Sequence, residues 1–365
     1  MKKITAFTAL ILSAVLAFTG CGSAVSGSSS SDSGQTENEN TRTITNIDGS
    51  QIEVPEEAQR IAAVYGPSYE ACVALGAEDK VVVDADVQFE NFPWAEKIFK
   101  NISSNPYLEN VHSSVSFEEL QKYNPDLVLT FNRPNELSQL KKAGIAAVNG
   151  VTTKNLDEVK ELLKVYAEAI GGDAPSRADA YAEYFDRKLQ MITDKTSTLG
   201  DSEKPTVYYA GVDILTTYGN KSDIIEAIEA AGGNPVMKDL DAGNHTSIDF
   251  EQLAVWNPQY IFIDHGGMSD KKTVEQIMED AENDSRYAAI DAVKNDQMYL
   301  VPSGTFYWDM GIQKILLIEY MAKILHPDLF QDLDMAAELQ EFYSEFFSYD
   351  LTDEEAQKIL DREDP

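Results

Sequence analysis

Residues 117–125 read FEELQKYNP, and residues 250–258 read FEQLAVWNP. Phe, Glu, Leu, Asn and Pro coincide at a constant offset of 133 positions, and each copy runs into an apolar segment, DLVLTF at 126–131 and QYIFID at 259–264. A helix stopped by Asn-Pro is a common signal, because the residue before a proline is pushed out of helical conformation. Five matches in nine positions are therefore within reach of chance taken alone. The equivalent helix-then-strand context on both sides argues for two similar units.

Working outward from the first copy, 60–64, 80–83 and 146–148 read as buried strands, with helical periods at 69–75, 117–123 and 135–143. Upstream, 43–54 alternates around Asp48-Gly49, a hairpin signal. Around the second copy, 204–210 reads as a strand, and a helix over 223–231 ends at Gly232-Gly233. Between the two series, 155–170 is amphipathic and Gly171 to Pro175 stops it. Residues 176–198 then continue without an internal Pro or Gly, a helix on the order of 35 Å long at 1.5 Å per residue. The expected fold is α/β: two similar lobes, 41–172 and 201–365, joined by one long rigid helix over 173–200, with a ligand cleft between them.

The 365 residues suffice for two domains of ~100–200 residues. A 43% hydrophobic content with 15 Phe and 17 Tyr excludes a disordered chain. With 62 acidic against 29 basic residues the net charge is −33, which repels phosphate backbones and argues against nucleic acid as a partner. The only two cysteines, Cys21 and Cys72, cannot build a disulfide framework or a four-cysteine zinc site.

The first twenty residues have the form of a secretory signal: Lys2 and Lys3, an apolar run over 4–18, then Thr19-Gly20-Cys21. The run is short for the ~20 apolar residues of a spanning helix. Phe18-Thr19-Gly20-Cys21 resembles a bacterial lipobox, in which the cysteine becomes a lipidated N-terminus; Leu is commoner where Phe18 stands. Residues 22–40, GSAVSGSSSSDSGQTENEN, form a flexible tether spanning on the order of 25 Å. Lipid, tether and globular body together describe a protein anchored to the cell membrane on its extracytoplasmic face.

Over 41–361 the sequence resembles the bacterial ABC-transporter substrate-binding proteins that capture ferric siderophores, haem and cobalamin. The landmarks are Asp48-Gly49 with Val54-Pro55, Arg60-Ile61, Ala74-Leu75-Gly76, Asn124-Pro125 leading into Asp126-Leu127-Val128, and Ala231-Gly232-Gly233-Asn234. Asn257-Pro258, Ala292-Val293-Lys294-Asn295 with Met298-Tyr299, and Leu325-His326-Pro327-Asp328 complete them. Their order and spacing, rather than any one of them, carry the likeness. The resemblance implies two lobes bridged by a helix and delivery of a small-molecule metal chelate to a permease dimer with its ATPase. It also implies no intrinsic cofactor. A ferric siderophore or haem leads as ligand, with cobalamin, molybdate and tungstate open. A metal-dependent enzyme at the cell surface is the rival class, but no phosphate-binding glycine loop, His-Glu-x-x-His or Gly-x-Ser-x-Gly occurs.

In such a cleft, ligands meet loops at the C-terminal ends of strands. That places Tyr65 to Tyr69 (with Ser68), the segment 88–105 with Phe92 and Trp94, and Asn132 to Pro134 on the first lobe. On the second lobe it places 211–218 with Tyr218, Asn244-His245, and 303–308 with Tyr307 and Trp308. Arg133 offers a guanidinium to carboxylate, catecholate or oxyanion groups, or else a surface salt bridge to an acid. The resemblance implies that His245 and Tyr307 ligate bound iron, with His265 a competing candidate; the alternatives are a helix-capping neighbour and a cleft-wall aromatic. Trp94, Phe306, Tyr307 and Trp308 offer an aromatic wall, or else core. His112, Cys72 and His326 read as structural. Glu118 and Glu251 occupy matching places in the two copies, each in a first helical turn where the dipole favours a carboxylate. The resemblance implies that they meet arginines on the permease.

Overall fold

The computed structural model describes residues 41–85, 92–150, 153–264 and 272–365. Cys21, the signal and tether segments and His265 lie outside them. β1 (Thr41–Thr45) and β2 (Gln51–Pro55) form an antiparallel hairpin whose turn holds Asp48-Gly49. Strands β3 (Ile61–Ala63), β4 (Val81–Ala85), β5 (Tyr107–Leu108), β6 (Leu127–Phe131) and β7 (Ala146–Gly150) follow. They make a parallel sheet in the order β5-β4-β3-β6-β7. Helices α1 (Ser68–Ala74), α2 (Pro93–Ile98), α3 (Phe117–Gln121) and α4 (Pro134–Lys142) alternate with the strands, and α5 (Leu156–Ile170) closes this first lobe. The strands are apolar runs without polar alternation because helices cover both faces of the sheet.

After α5, Gly171 turns at φ +75° and α6 (Ala174–Thr196) runs for 23 residues. Pro175 in its first turn needs no backbone partner for a missing N–H. The second lobe contains β8 (Thr206–Ala210), β9 (Thr216–Thr217), β10 (Asn234–Pro235), β11 (Thr246–Ser247), β12 (Tyr260–Ile263) and β13 (Met298–Leu300). Its parallel part runs β10-β8-β12-β13, with β9 and β11 added antiparallel beyond β8. Its helices are α7 (Ile224–Ala230), α8 (Phe250–Trp256), α9 (Val274–Asn283), α10 (Asp291–Lys294), α11 (Lys314–Leu325), α12 (Met335–Phe347) and α13 (Asp353–Leu360). Among the described residues no helix is long and apolar enough to cross a membrane.

The repeated motif occupies equivalent places. Asn124 and Asn257, ending the two helices, both adopt left-handed backbone at φ +45° and +43°. Asn tolerates that conformation better than most residues. The next strand then pairs with the lobe's first: the Asp126 N–H donates to Arg60 O at 2.9 Å, and the Gln259 N–H to Thr206 O at 3.0 Å. The side chains match as well. The Asp126 carboxylate accepts from the Gln59 and Arg60 N–H groups, and Gln259 Oε1 accepts from the Thr206 N–H. The two lobes are thus similar α/β units, joined by α6.

One packing feature had no counterpart in the sequence reading. The C-terminal helices fold back onto the first lobe: Phe347 packs edge-on against Phe99 at 5.2 Å, Lys97 pairs with Glu355 at 2.7 Å, and Trp94 Nε1 donates to Glu363 O at 2.8 Å. Trp94 is therefore core, not a cleft wall. Cys72 is fully buried, and burial pushes its thiol above the ordinary range, as a structural residue requires.

Candidate functional site

The first lobe's contribution begins where β3 ends. Tyr65 packs edge-on against Phe131 at 5.1 Å, and the Ser68 hydroxyl donates to Tyr65 O at 2.5 Å, fixing the turn into α1. A side chain at Gly150 would run into the Tyr65 ring, so glycine is required where β7 ends. Burial pushes the Tyr65 phenol above its ordinary range, with Asp309 and Asp223 of the second lobe adding to the effect. Phe92 lies at 5.0 Å from Phe306 and 4.8 Å from Tyr307, so aromatic rings of the two lobes meet directly.

Arg133 follows β6 as expected, but its guanidinium is engaged. It stacks on Phe131 at 4.1 Å, donates to Glu136 at 3.3 Å, and donates to the Val111 and His112 carbonyls at 2.8 and 2.5 Å. The salt-bridge alternative describes this geometry: Arg133 tethers 111–112 to the end of β6.

On the second lobe, Tyr218 donates to Asp309 Oδ2 at 2.7 Å and Tyr209 to Asp264 Oδ2 at 3.1 Å, with the two rings edge-on at 5.3 Å. His245 stands 5.2 Å from the Tyr218 ring, exposed, with a positive φ of 52°. Tyr307 is half-buried. Its phenol is pushed above the ordinary range by burial first, then by Asp264 and Asp309, with Arg362 pulling the other way. Lys314, fully buried, is held by Asp223 at 2.9 Å and by Asp309 O.

Tyr65, Phe92, Tyr218, Tyr307, Asp264 and Asp309 are thus brought together, with His245 at the edge; of these only Tyr307 and His245 are open to solvent, and Tyr218, expected on the cleft surface, is fully buried behind them. Trp308 is not among them. It is fully buried against Tyr320 at 6.1 Å, and an exposed ligand wall is corrected to core. The run Phe306-Tyr307-Trp308 alternates buried, half-buried, buried, so only its middle ring is presented. Asp264 and Asp309 were missed, although each is the charged residue closing an apolar run. Glu118 and Glu251 are exposed in the first turns of α3 and α8, apart from this site. Among the described residues no group of three or more His, Cys, Asp or Glu side chains is placed to hold a metal ion.

Two α/β lobes with facing loops at their strand ends, joined by a helix, define a solute-binding protein. The profile of the family described as "Periplasmic binding protein" matches residues 61–305, and the chain belongs to that family. It is similar to the molybdate-binding protein MolA of Haemophilus influenzae, at 24% identity over 84% of this chain and 91% of that one. It is also similar to the iron(3+)-hydroxamate-binding protein FhuD of Bacillus subtilis, at 26% identity over 89% and 98%. A periplasmic solute binding protein from Veillonella parvula superimposes with a TM-score of 0.72 at 26% identity, covering 88% of this chain and 97% of that structure. The chain is accordingly an extracytoplasmic solute-binding protein of an ABC transporter, not an enzyme.

Proposed function

We propose that this protein captures an iron complex, a ferric siderophore or haem, at the outer face of the membrane and delivers it to the permease. The observation that carries the reading is the aromatic meeting of the lobes: Phe92 of one against Phe306 and Tyr307 of the other. Phe92 and Phe306 are buried, and the half-buried Tyr307 ring packed on them presents an aromatic face that suits a bulky, largely apolar chelate. A small oxyanion is held by donors, and at this site Arg133 and Lys314 already spend theirs on carboxylates and backbone carbonyls. The likeness to FhuD agrees with iron; the likeness to MolA keeps molybdate as the rival.

Intrinsic fluorescence titration with a ferric tris-hydroxamate, haemin and sodium molybdate decides between them. Saturable quenching by an iron complex with none by molybdate is expected; the reverse overturns the reading. His245 and Tyr307 contact the bound complex in this proposal, and Arg133 braces the first-lobe rim. The lobes are taken as 41–172 and 201–365, with 173–200 between them. Cys21 carries the lipid: a Cys21→Ala form is expected in the soluble fraction, and its continued partition with membranes would remove the anchor.

A further inference from the structure

Glu70 lies in the first turn of α1, directly after the loop that presents Tyr65, and is fully buried. Its Oε1 accepts from the Thr305 hydroxyl at 2.7 Å and from Gln313 Nε2 at 2.6 Å. Gln313 Nε2 also reaches Thr305 Oγ1 at 3.2 Å, Tyr343 donates to Gln313 Oε1 at 3.1 Å, and the Thr305 N–H donates to the Tyr343 hydroxyl at 3.4 Å. Every one of these partners belongs to the second lobe, and all are fully buried. Thr305 immediately precedes Phe306 and Tyr307, the rings that cross to Phe92. The seam is tight around the carboxyl. Gly311 turns at φ +70°, and a Cβ there would sit 2.9 Å from Pro67 and 3.6 Å from Glu70 Oε2.

We propose that Glu70 is a positioning residue for solute binding: by clamping Thr305 and Gln313 it fixes the second-lobe loop bearing Phe306 and Tyr307 against the first-lobe loop bearing Tyr65. The clamp works as a neutral acid. Burial pushes Glu70 up to about 8, against the opposite pull of the bonds from Thr305 and Gln313. Among the described residues no Lys or Arg pairs with it to carry a charge. Tyr181 of α6 and Tyr343 of α12 are the titratable groups that feel Glu70, and burial holds both phenols above their ordinary range, so they stay neutral while Glu70 ionises. On α1 itself, burial likewise holds Tyr69 and Cys72 in their neutral forms. A carboxyl raised in the folded state stabilises fully below its ordinary range and loses that contribution as pH rises through about 8. An ionised, unpaired carboxylate at this seam would push the loops apart.

The clamp goes beyond the proposed iron specificity and rests on it only through the probe, a ferric tris-hydroxamate. In the full chain its dissociation constant is expected to rise about tenfold between pH 7 and pH 9.5. Glu70→Gln should abolish that alkaline loss and bind more tightly at pH 7 than Glu70→Ala. Thr305→Val, which removes a bond favouring the charged form, should move the midpoint of the loss to higher pH. Glu319, which burial raises well above the ordinary carboxyl range in the second lobe, away from these loops, is the control; Glu319→Gln should change thermal stability against pH without changing the affinity profile. An alkaline loss in Glu70→Gln equal to the wild type's, or wild-type affinity in Glu70→Ala, overturns the proposal. If the probe binds no form at any pH, the iron reading fails separately and thermal melting decides. A midpoint that falls from pH 7 to 9.5 in the wild type but not in Glu70→Gln supports the clamp, and an identical fall in both removes it.

Discussion

Tyr307 is where a single side chain carries the most specific chemistry. Burial, Asp264 and Asp309 all hold its proton on, so the free protein presents a phenol rather than a phenolate. In the proposed iron-bound form, iron(III) would supply the positive charge that inverts this preference, as bound cations do for neighbouring acids. If the oxygen ligates, the iron-loaded protein should show a visible phenolate-to-iron band that Tyr307→Phe abolishes, with affinity weakened on the order of tenfold; an unchanged spectrum and affinity would exclude ligation. This residue was legible because it follows a strand end in an aromatic run. Trp308, one position on, was misjudged: the chain bends and turns through 304–309, burying the indole against Tyr320 while Tyr307 stays half-buried, so the two rings do not share a wall. Arg133 was correctly placed, but which acceptors claim a guanidinium depends on the 111–112 segment, whose approach no local pattern announces. Asp264 and Asp309 went unseen for a related reason. A carboxylate closing an apolar run looks the same in sequence whether it meets water or, as here, buried tyrosines.

Elements were far more readable than contacts. The helix over 176–198 is observed as Ala174–Thr196, and the helix over 155–170 as Leu156–Ile170. Their boundaries are set by local chemistry: the Asn155 side chain accepts from the Glu158 N–H, and Gly171 takes a positive φ. The repeat is equally local in origin. Ser116 and Asp249 cap the starts of α3 and α8 by accepting from the Glu119 and Gln252 N–H groups. In both helices this leaves the first-turn glutamate, Glu118 or Glu251, free to face solvent rather than serve as the cap. Two exposed acids in equivalent places on similar lobes suit a partner with two equivalent halves. Such charges govern encounter and orientation more than affinity. Glu118→Ala and Glu251→Ala are therefore expected to leave solute binding intact and to impair uptake, most strongly together. Normal uptake by the double variant would leave these residues only their favourable place at a helix dipole.

At the scale of the whole molecule, the connection between lobes decides how far they can move. Near its start, α6 is tied to the first lobe, where Arg177 Nε donates to Ala74 O at 2.7 Å. One turn on, Tyr181 donates to Ile312 O at 2.8 Å in the second lobe, and Lys188 pairs with Glu338 and Glu341 of α12. The same helix is thus gripped by both lobes within a few turns, and bending it would break backbone hydrogen bonds with no compensating partner. A second tie, the return of α12 and α13 onto α2, was invisible in the sequence because it joins residues as far apart as Trp94 and Glu363, 269 positions away. The Glu70 seam is a third. Large hinge closure elsewhere uses a few loop residues that absorb the change in backbone angles, and here no single crossing has that freedom. Ligand binding should therefore rearrange loops at the strand ends while the lobes stay nearly fixed. Small-angle scattering of the full chain, with and without a saturating ferric tris-hydroxamate, is expected to give the same radius of gyration within error. A contraction of several ångströms would mean that α6 bends or that the C-terminal helices let go of the first lobe. Hydrogen exchange at 174–196 and 353–360 would then tell which of the two gives way.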